Sequence, residues 1–191
     1  MPDWRRTMQS VIFIAGVYGV GKSTLCNKLS LATGIPSFSA GDLISEVNGE
    51  MYGRNKVVKD VKSNQDILVS AINSTLEIFP RILLAGHFCI VNKYNDVELL
   101  PKFVFAQLHL SSIILLETEI TKIFNNIRDR DQRIYPINTI DELIAKERSQ
   151  AQTIAKELNI PLFLHSMKYD HSDEKTIAEV LTGGCKNESS P

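Results

Sequence analysis

A layered α/β domain built on a mostly parallel sheet is the fold this sequence predicts. Short apolar runs recur at residues 11–15, 37–40, 82–85, 113–116 and 162–165, which read as strands. Stretches with helical spacing separate them, each about the length a parallel crossover needs. The first run also ends in a glycine-rich loop that opens directly into a helical stretch. Together these predict helices on both faces of a five-stranded sheet, with ligands bound beyond the carboxyl ends of the strands.

Taken in order, the first run, Val11-Ile12-Phe13-Ile14-Ala15, is unbroken by polar residues, as a strand covered on both faces requires. Gly16-Val17-Tyr18-Gly19-Val20-Gly21-Lys22-Ser23 then fits the phosphate-loop pattern G-x-x-x-x-G-K-[ST], and Thr24 extends it. Leu25, Leu29 and Ala32 follow at helical spacing. Glycines let successive N–H groups turn toward an anion, and the helix start adds its positive dipole end. Lys22 is then placed to reach the β- and γ-phosphates of a nucleoside triphosphate, and the Ser23 hydroxyl to hold Mg²⁺.

The second run leads into Gly41-Asp42, and a helix is predicted over 67–79. The third run ends in Gly86-His87. Residues 88–100 break the alternation: an apolar stretch, the turn-rich Asn92-Lys93-Tyr94-Asn95-Asp96 and a second apolar stretch predict a hairpin or flap beside the site. A short helix over 103–108 follows Pro101. The fourth run ends at Glu117 and precedes a helix over 118–128, then a longer one over 141–158. The last run and a helix over 173–181 complete a single domain, residues 1–182, before Gly183-Gly184 and a tail, residues 183–191, that reads as disordered.

Several residues beyond the loop fall where ligands bind. Asp42 suits a helix N-cap, and equally a carboxylate near Mg²⁺ or an acceptor hydroxyl. His87 is either a satisfied strand-end histidine or an imidazole that positions an acceptor; its place at the ligand end of the sheet favours the second. Arg128, Arg130 and Arg133 lie in Ile127-Arg128-Asp129-Arg130-Asp131-Gln132-Arg133. They read either as a self-compensating surface cluster or as a closing lid that neutralises a phosphoryl group. Along 140–158, Glu147 and Arg148 interrupt the apolar stripe, so a charge there pairs internally or points into the site; Arg148 is the candidate taken from that pair.

At 191 residues, with 43% hydrophobic and 23% charged residues, the composition is that of an ordinary soluble domain able to bury a core. A net charge of −1 gives no basic field of the kind that signals nucleic-acid binding. Cys26, Cys89 and Cys185 are widely spaced, which predicts free thiols in a reducing compartment. No apolar run has the length of a membrane span, so the expectation is a cytoplasmic protein.

The phosphate loop with Phe13-Ile14-Ala15 before it, then Ala40-Gly41-Asp42-Leu43, then Gly86-His87, resembles the adenylate kinase-like P-loop proteins, above all archaeal-type adenylate kinases and nuclear adenylate kinase-type ATPases. The resemblance implies a five-stranded parallel core, a small acceptor region and an Arg-bearing lid, with ATP and Mg²⁺ as cofactors. It implies a nucleotide-binding set of Gly16, Gly19, Val20, Gly21, Lys22, Ser23 and Thr24 with Arg128 and Arg148, and catalytic roles for Lys22, Asp42, His87 and Arg130. Ser23 and, through water, Asp42 would hold the metal. The chain departs from the family at Ala85, where an aspartate usually stands, and at Ser45, where an arginine usually grips the acceptor phosphate; Arg54, Lys56 and Arg81 are the candidate substitutes. The implied activity is transfer of the γ-phosphoryl group of ATP to a nucleotide or nucleoside. An ATP-gated module or slow ATPase acting on a protein or RNA partner is the second reading.

Overall fold

The computed structural model describes residues 9–48, 61–92, 94–131 and 135–183. In chain order the elements are β1 (Ser10–Ala15), α1 (Lys22–Thr33), β2 (Ser37–Ser39), α2 (Ala40–Asn48), α3 (Val61–Ile78), β3 (Arg81–Ala85), β4 (Cys89–Val91), β5 (Val97–Leu99), α4 (Lys102–Ala106), β6 (Leu110–Glu117), α5 (Ile120–Asp131), α6 (Ile137–Leu158), β7 (Leu162–Ser166) and α7 (His171–Leu181). Strands β2-β3-β1-β6-β7 form a five-stranded sheet, every pairing of it parallel.

The unbroken apolar run of β1 is explained by two cores, one on each face of the sheet. Ile12 and Ile14 pack with Leu25 and Leu29 of α1 and Ile177 of α7 on one side. Val11, Phe13 and Ala15 pack with Leu68 and Ile72 of α3 and Ile154 of α6 on the other. A strand buried on both faces has no polar positions, and each fully buried aliphatic or aromatic side chain contributes roughly 1.5–3 kcal/mol. The free thiols of Cys26 and Cys89 lie in this interior; burial pushes the Cys26 thiol up to about 12.

Residues 88–100 form the expected hairpin, with Cys89 opposite Leu99 and Val91 opposite Val97. The first helix begins at Lys22 rather than Leu25, and α3 and α6 begin earlier than the apolar spacing indicates. In α6 the start is set by Pro136, the residue before the helix, where a missing N–H costs nothing. Strand β6 begins at Leu110, before its apolar part, because a register shift between Val11 and Ile12 lets polar Ser112 pair with Ile12. Among the described residues no helix is long and apolar enough to cross a membrane. Cys185 and most of the expected tail lie outside the described residues.

Candidate active site

The carboxyl ends of β1 and β3 open onto one cavity of about 450 Å³, bounded by the glycine loop at one end and by α2, α3 and α4 at the other. The loop turns on positive-φ glycines. At Gly16, φ is 143°, and a Cβ there would stand 2.6 Å from the Leu116 carbonyl oxygen, so only glycine lets β1 leave the sheet at this point. Gly21, with φ 97°, turns the chain into α1, directly before Lys22.

Lys22 is 9% exposed, and its Nζ donates to the carbonyls of Gly16 (2.6 Å) and Val17 (3.0 Å) and lies 3.4 Å from His87 Nδ1. The His87 ring rests on Tyr18, ring centres 4.3 Å apart. Lys22, Ser23, Thr24, Gly19 and Gly21 all line the cavity, as does His87. Gly16 and Val20 do not: the Gly16 N–H donates to Glu147 Oε1 (3.1 Å), and the Val20 side chain is in the core. Asn126 of α5 donates to the Gly19 carbonyl (2.8 Å) and pins the loop from outside.

The remaining expected residues are placed less centrally. Asp42 is exposed within the first turn of α2, and the expected N-cap role falls to Ser39, whose Oγ accepts the Asp42 N–H at 3.4 Å. The cap needs the residue that ends the strand, and Ala40 already belongs to the helix. Ser45 is buried, its hydroxyl donating to the Gly41 carbonyl (2.8 Å). Arg81 stands at the amino end of β3, opposite to the cavity, and donates to the Leu181 carbonyl (2.9 Å), so it cannot substitute for an acceptor-gripping arginine. Arg54 and Lys56 lie outside the described residues.

Among the arginines, Arg128 pairs with its neighbour Asp129 (3.0 Å), the self-compensating arrangement, and does not line the cavity. Arg130 belongs to α5, its side chain outside the described part, and Arg133 lies outside the described residues. Arg148 is exposed and bound by both Nε and Nη2 to Glu117 (2.6 Å each). That contact raises the Arg148 pKa above its ordinary value. His165, at the end of the last strand, bonds Asp173 (2.8 Å).

Glu147, not Arg148, is the charge that α6 sends inward. Its carboxylate is 2% exposed and accepts the N–H groups of Gly16, Phe88 (2.9 Å) and Cys89 (3.0 Å) and the Cys89 thiol (3.1 Å). One side chain thereby ties the start of the phosphate loop to the chain that leaves β3. Burial pushes its pKa up, against the pull of the Lys22 ammonium and these donors. Lys146 and Gln150, on the same side of α6, hold the hairpin by the carbonyls of Val97 (2.8 Å) and Leu100 (3.2 Å). The interruption of the apolar stripe was the available signal for Glu147; which of two adjacent charges turns inward depends on helix rotation, about 100° per residue.

A second buried carboxylate, on α7, fixes the turn that follows β7. Asp173 accepts the N–H groups of Lys168 (2.9 Å) and Tyr169 (2.7 Å) as well as His165 Nε2. Burial alone would raise its pKa, but these donors outweigh it and hold Asp173 below the ordinary carboxylate value. The turn so fixed carries Met167 and Tyr169, each with an atom 3.6 Å from where a Cβ on Gly21 would lie.

For Mg²⁺, no cluster of three or more His, Cys, Asp or Glu able to hold a metal lies among the described residues. Toward an ion that keeps its waters and arrives with a triphosphate, the exposed Ser23 hydroxyl lines the cavity, whereas Asp42, exposed on α2, does not line it.

Comparison with known proteins gives the chain a family and relatives in fold. A family model described as an AAA domain matches residues 15–144. Human adenylate kinase isoenzyme 5 is 26% identical over 151 residues, covering 76% of this chain and 26% of that protein. The match therefore spans about a quarter of the human protein. Adenylate kinase of Thermoplasma volcanium is 27% identical over 127 residues, 65% of this chain and 68% of its own length. In fold, shikimate kinase from Acinetobacter baumannii in complex with shikimate superimposes with a TM-score of 0.61 at 13% identity, over 93% of this chain and 95% of that one. Shikimate kinase from Aquifex aeolicus gives 0.58 at 15% identity, over 91% and 97%.

Proposed function

Because this chain belongs to the AAA domain family, we propose that it is an ATP-dependent small-molecule kinase that transfers the γ-phosphoryl group to a nucleotide or nucleoside. The observation that carries this reading is the single cavity that runs from Lys22 and Ser23 of the loop, past His87, to the wall made by α2, α3 and α4. Such a cavity can hold a triphosphate and an acceptor end to end, the arrangement an in-line transfer requires. The likeness to adenylate kinases supports the same reading.

In this mechanism the loop N–H groups and Lys22 hold the phosphates, and the Lys22 ammonium exchanges its carbonyl contacts for phosphate oxygens. Ser23 would hold Mg²⁺, with Asp42 joining through water, and the ion would supply charge neutralisation of the phosphates. His87 orients the acceptor hydroxyl, and Arg130 belongs to the lid. Arg128 and Arg148 join the nucleotide set only by exchanging Asp129 and Glu117 for phosphate. Glu147 is a positioning residue that fixes the loop relative to His87.

Two observations favour the second reading, an ATP-gated module or slow ATPase with a protein or RNA partner: Ala85 has no metal-directed group, and the Ser45 hydroxyl is engaged within α2. ATP turnover with Mg²⁺, alone and against nucleosides and nucleoside monophosphates, separates the two. A phosphorylated product that depends on acceptor supports the kinase. Slow hydrolysis indifferent to every acceptor overturns it in favour of the gated module.

A further inference from the structure

The far lobe of the cavity is walled by Phe13, Ile44, Leu68, Val104 and Phe105. The rings of Phe13 and Phe105 meet edge to face, centres 5.8 Å apart. One polar side chain is set into this wall. Gln65 of α3 is 5% exposed, and its Oε1 has no hydrogen-bond partner among the described residues. A buried amide oxygen without a donor ordinarily costs stability, and leucine would fill such a position without that cost. A ligand that supplies the donor removes the cost.

The chemistry of that ligand follows from the lobe. An amide presents an acceptor beside a donor, the complement of the edge of a nucleobase. The aromatic and aliphatic wall suits a flat ring. Among the described residues that line the cavity, Lys22 is the only lysine or arginine, and it belongs to the phosphate loop. Ser45, whose hydroxyl is bonded to Gly41, brings no charge to the lobe. A phosphate dianion or a sugar acid placed there would lose its hydration against an apolar wall.

We propose that this lobe takes an uncharged, flat heterocycle bearing a free hydroxyl, chemically an unphosphorylated nucleoside, and that Gln65 selects it by hydrogen-bonding the edge of the heterocycle. The proposal rests on the kinase reading and narrows it. The acceptor hydroxyl oxygen forms the new bond to the γ-phosphorus while the bond from that phosphorus to the β,γ-bridging oxygen breaks. ADP leaves with that electron pair, and the hydroxyl proton passes to the His87 imidazole and on to solvent. The products are ADP and a nucleoside monophosphate.

The test uses the full chain with ATP and Mg²⁺, comparing each common nucleoside with its 5′-monophosphate, in the natural sequence and in Gln65→Leu. The expected result is that at least one nucleoside has a kcat/KM about tenfold or more above that of its monophosphate. Gln65→Leu should raise the KM of that nucleoside about tenfold and leave the KM for ATP within about twofold. The free variant should unfold at the same temperature or higher, because an unsatisfied polar atom has been removed. A preference for the monophosphate overturns the proposal and leaves the kinase standing, whereas absence of any acceptor-dependent product sinks both. An unchanged acceptor KM in Gln65→Leu, or a melting temperature lowered by about 4 °C or more, makes Gln65 a structural residue and also overturns it. Thermal shifts of the unsubstituted chain with each nucleoside and monophosphate give the same ranking without any variant.

Discussion

The phosphate lobe is made of near-consecutive residues, Gly19 and Gly21 to Thr24, and much of what it offers a ligand is main chain; the far lobe draws Phe13, Ile44, Gln65, Leu68, Val104 and Phe105 from β1, α2, α3 and α4 and is apolar but for one amide. The first lobe is a local structure that the rest of the fold needs only to hold still, through Glu147 on one side and Asn126 on another. The second exists only because four elements converge. A change in the first should therefore act on chemistry, and a change in the second on choice of acceptor.

Substitutions in the first lobe should cost most. Lys22→Ala should lower ATP-dependent turnover by about 10³-fold or more, with the folded far-ultraviolet spectrum retained, because an ammonium at the phosphates acts on the transition state. Near-normal turnover in a purified variant would break the assignment of that lobe to phosphate. Glu147→Ala removes the tie between the start of the phosphate loop and the chain that leaves β3, and leaves the N–H groups of Gly16, Phe88 and Cys89 without their acceptor in a dry interior. A loss of about 3 kcal/mol in urea unfolding is expected, with Glu147→Gln only partly rescuing, since one amide oxygen replaces two acceptors. A change below about 0.5 kcal/mol would mean that the phosphate loop is held by other contacts.

His87 stands at the boundary of the two lobes, and His87→Ala tests which of them it serves. The substitution should reduce acceptor-dependent kcat about 10²-fold and leave the KM for ATP nearly unchanged. Equal loss in ATP binding would move His87 into the phosphate lobe.

The smallest effect concerns the two buried carboxylates, Asp173 and Glu147. Asp173 has a folded-state pKa below its unfolded value, so between the two the unfolded chain binds more protons. Its contribution is complete above the unfolded value, about 3.9, and is lost as pH falls through the lower folded one. Glu147 has the opposite sign. Its folded pKa is raised, so its contribution is present below about 4.3 and is lost as pH rises through the folded value. Asp173→Asn should flatten the acid limb of a melting-temperature profile, and an unaltered acid limb would show that the donors around Asp173 do not discriminate charge.

Local pattern made part of this readable. The strands, the hairpin and α1 follow from apolar spacing and turn residues, and the loop follows from eight contiguous positions whose backbone conformation is set by their own glycines. Even its departures from expectation are local, as when Ser39 rather than Asp42 caps α2. Arg148 and Glu147 mark the boundary of what pattern can resolve. Both interrupt one stripe, yet one meets Glu117 at the surface and the other reaches three backbone N–H groups inside, because adjacent helical residues point about 100° apart.

That this chain is an α/β domain with a phosphate loop is written in short runs whose physics is nearest-neighbour: burial on two faces, positive φ, a helix start. Packing between distant segments sets Glu147 against the loop, leaves Arg81 at the wrong end of the sheet, and buries Gln65 in the wall of an apolar lobe with no donor to its Oε1 among the described residues. These depend on which side chains from distant segments share a volume, and no spacing along the chain encodes that.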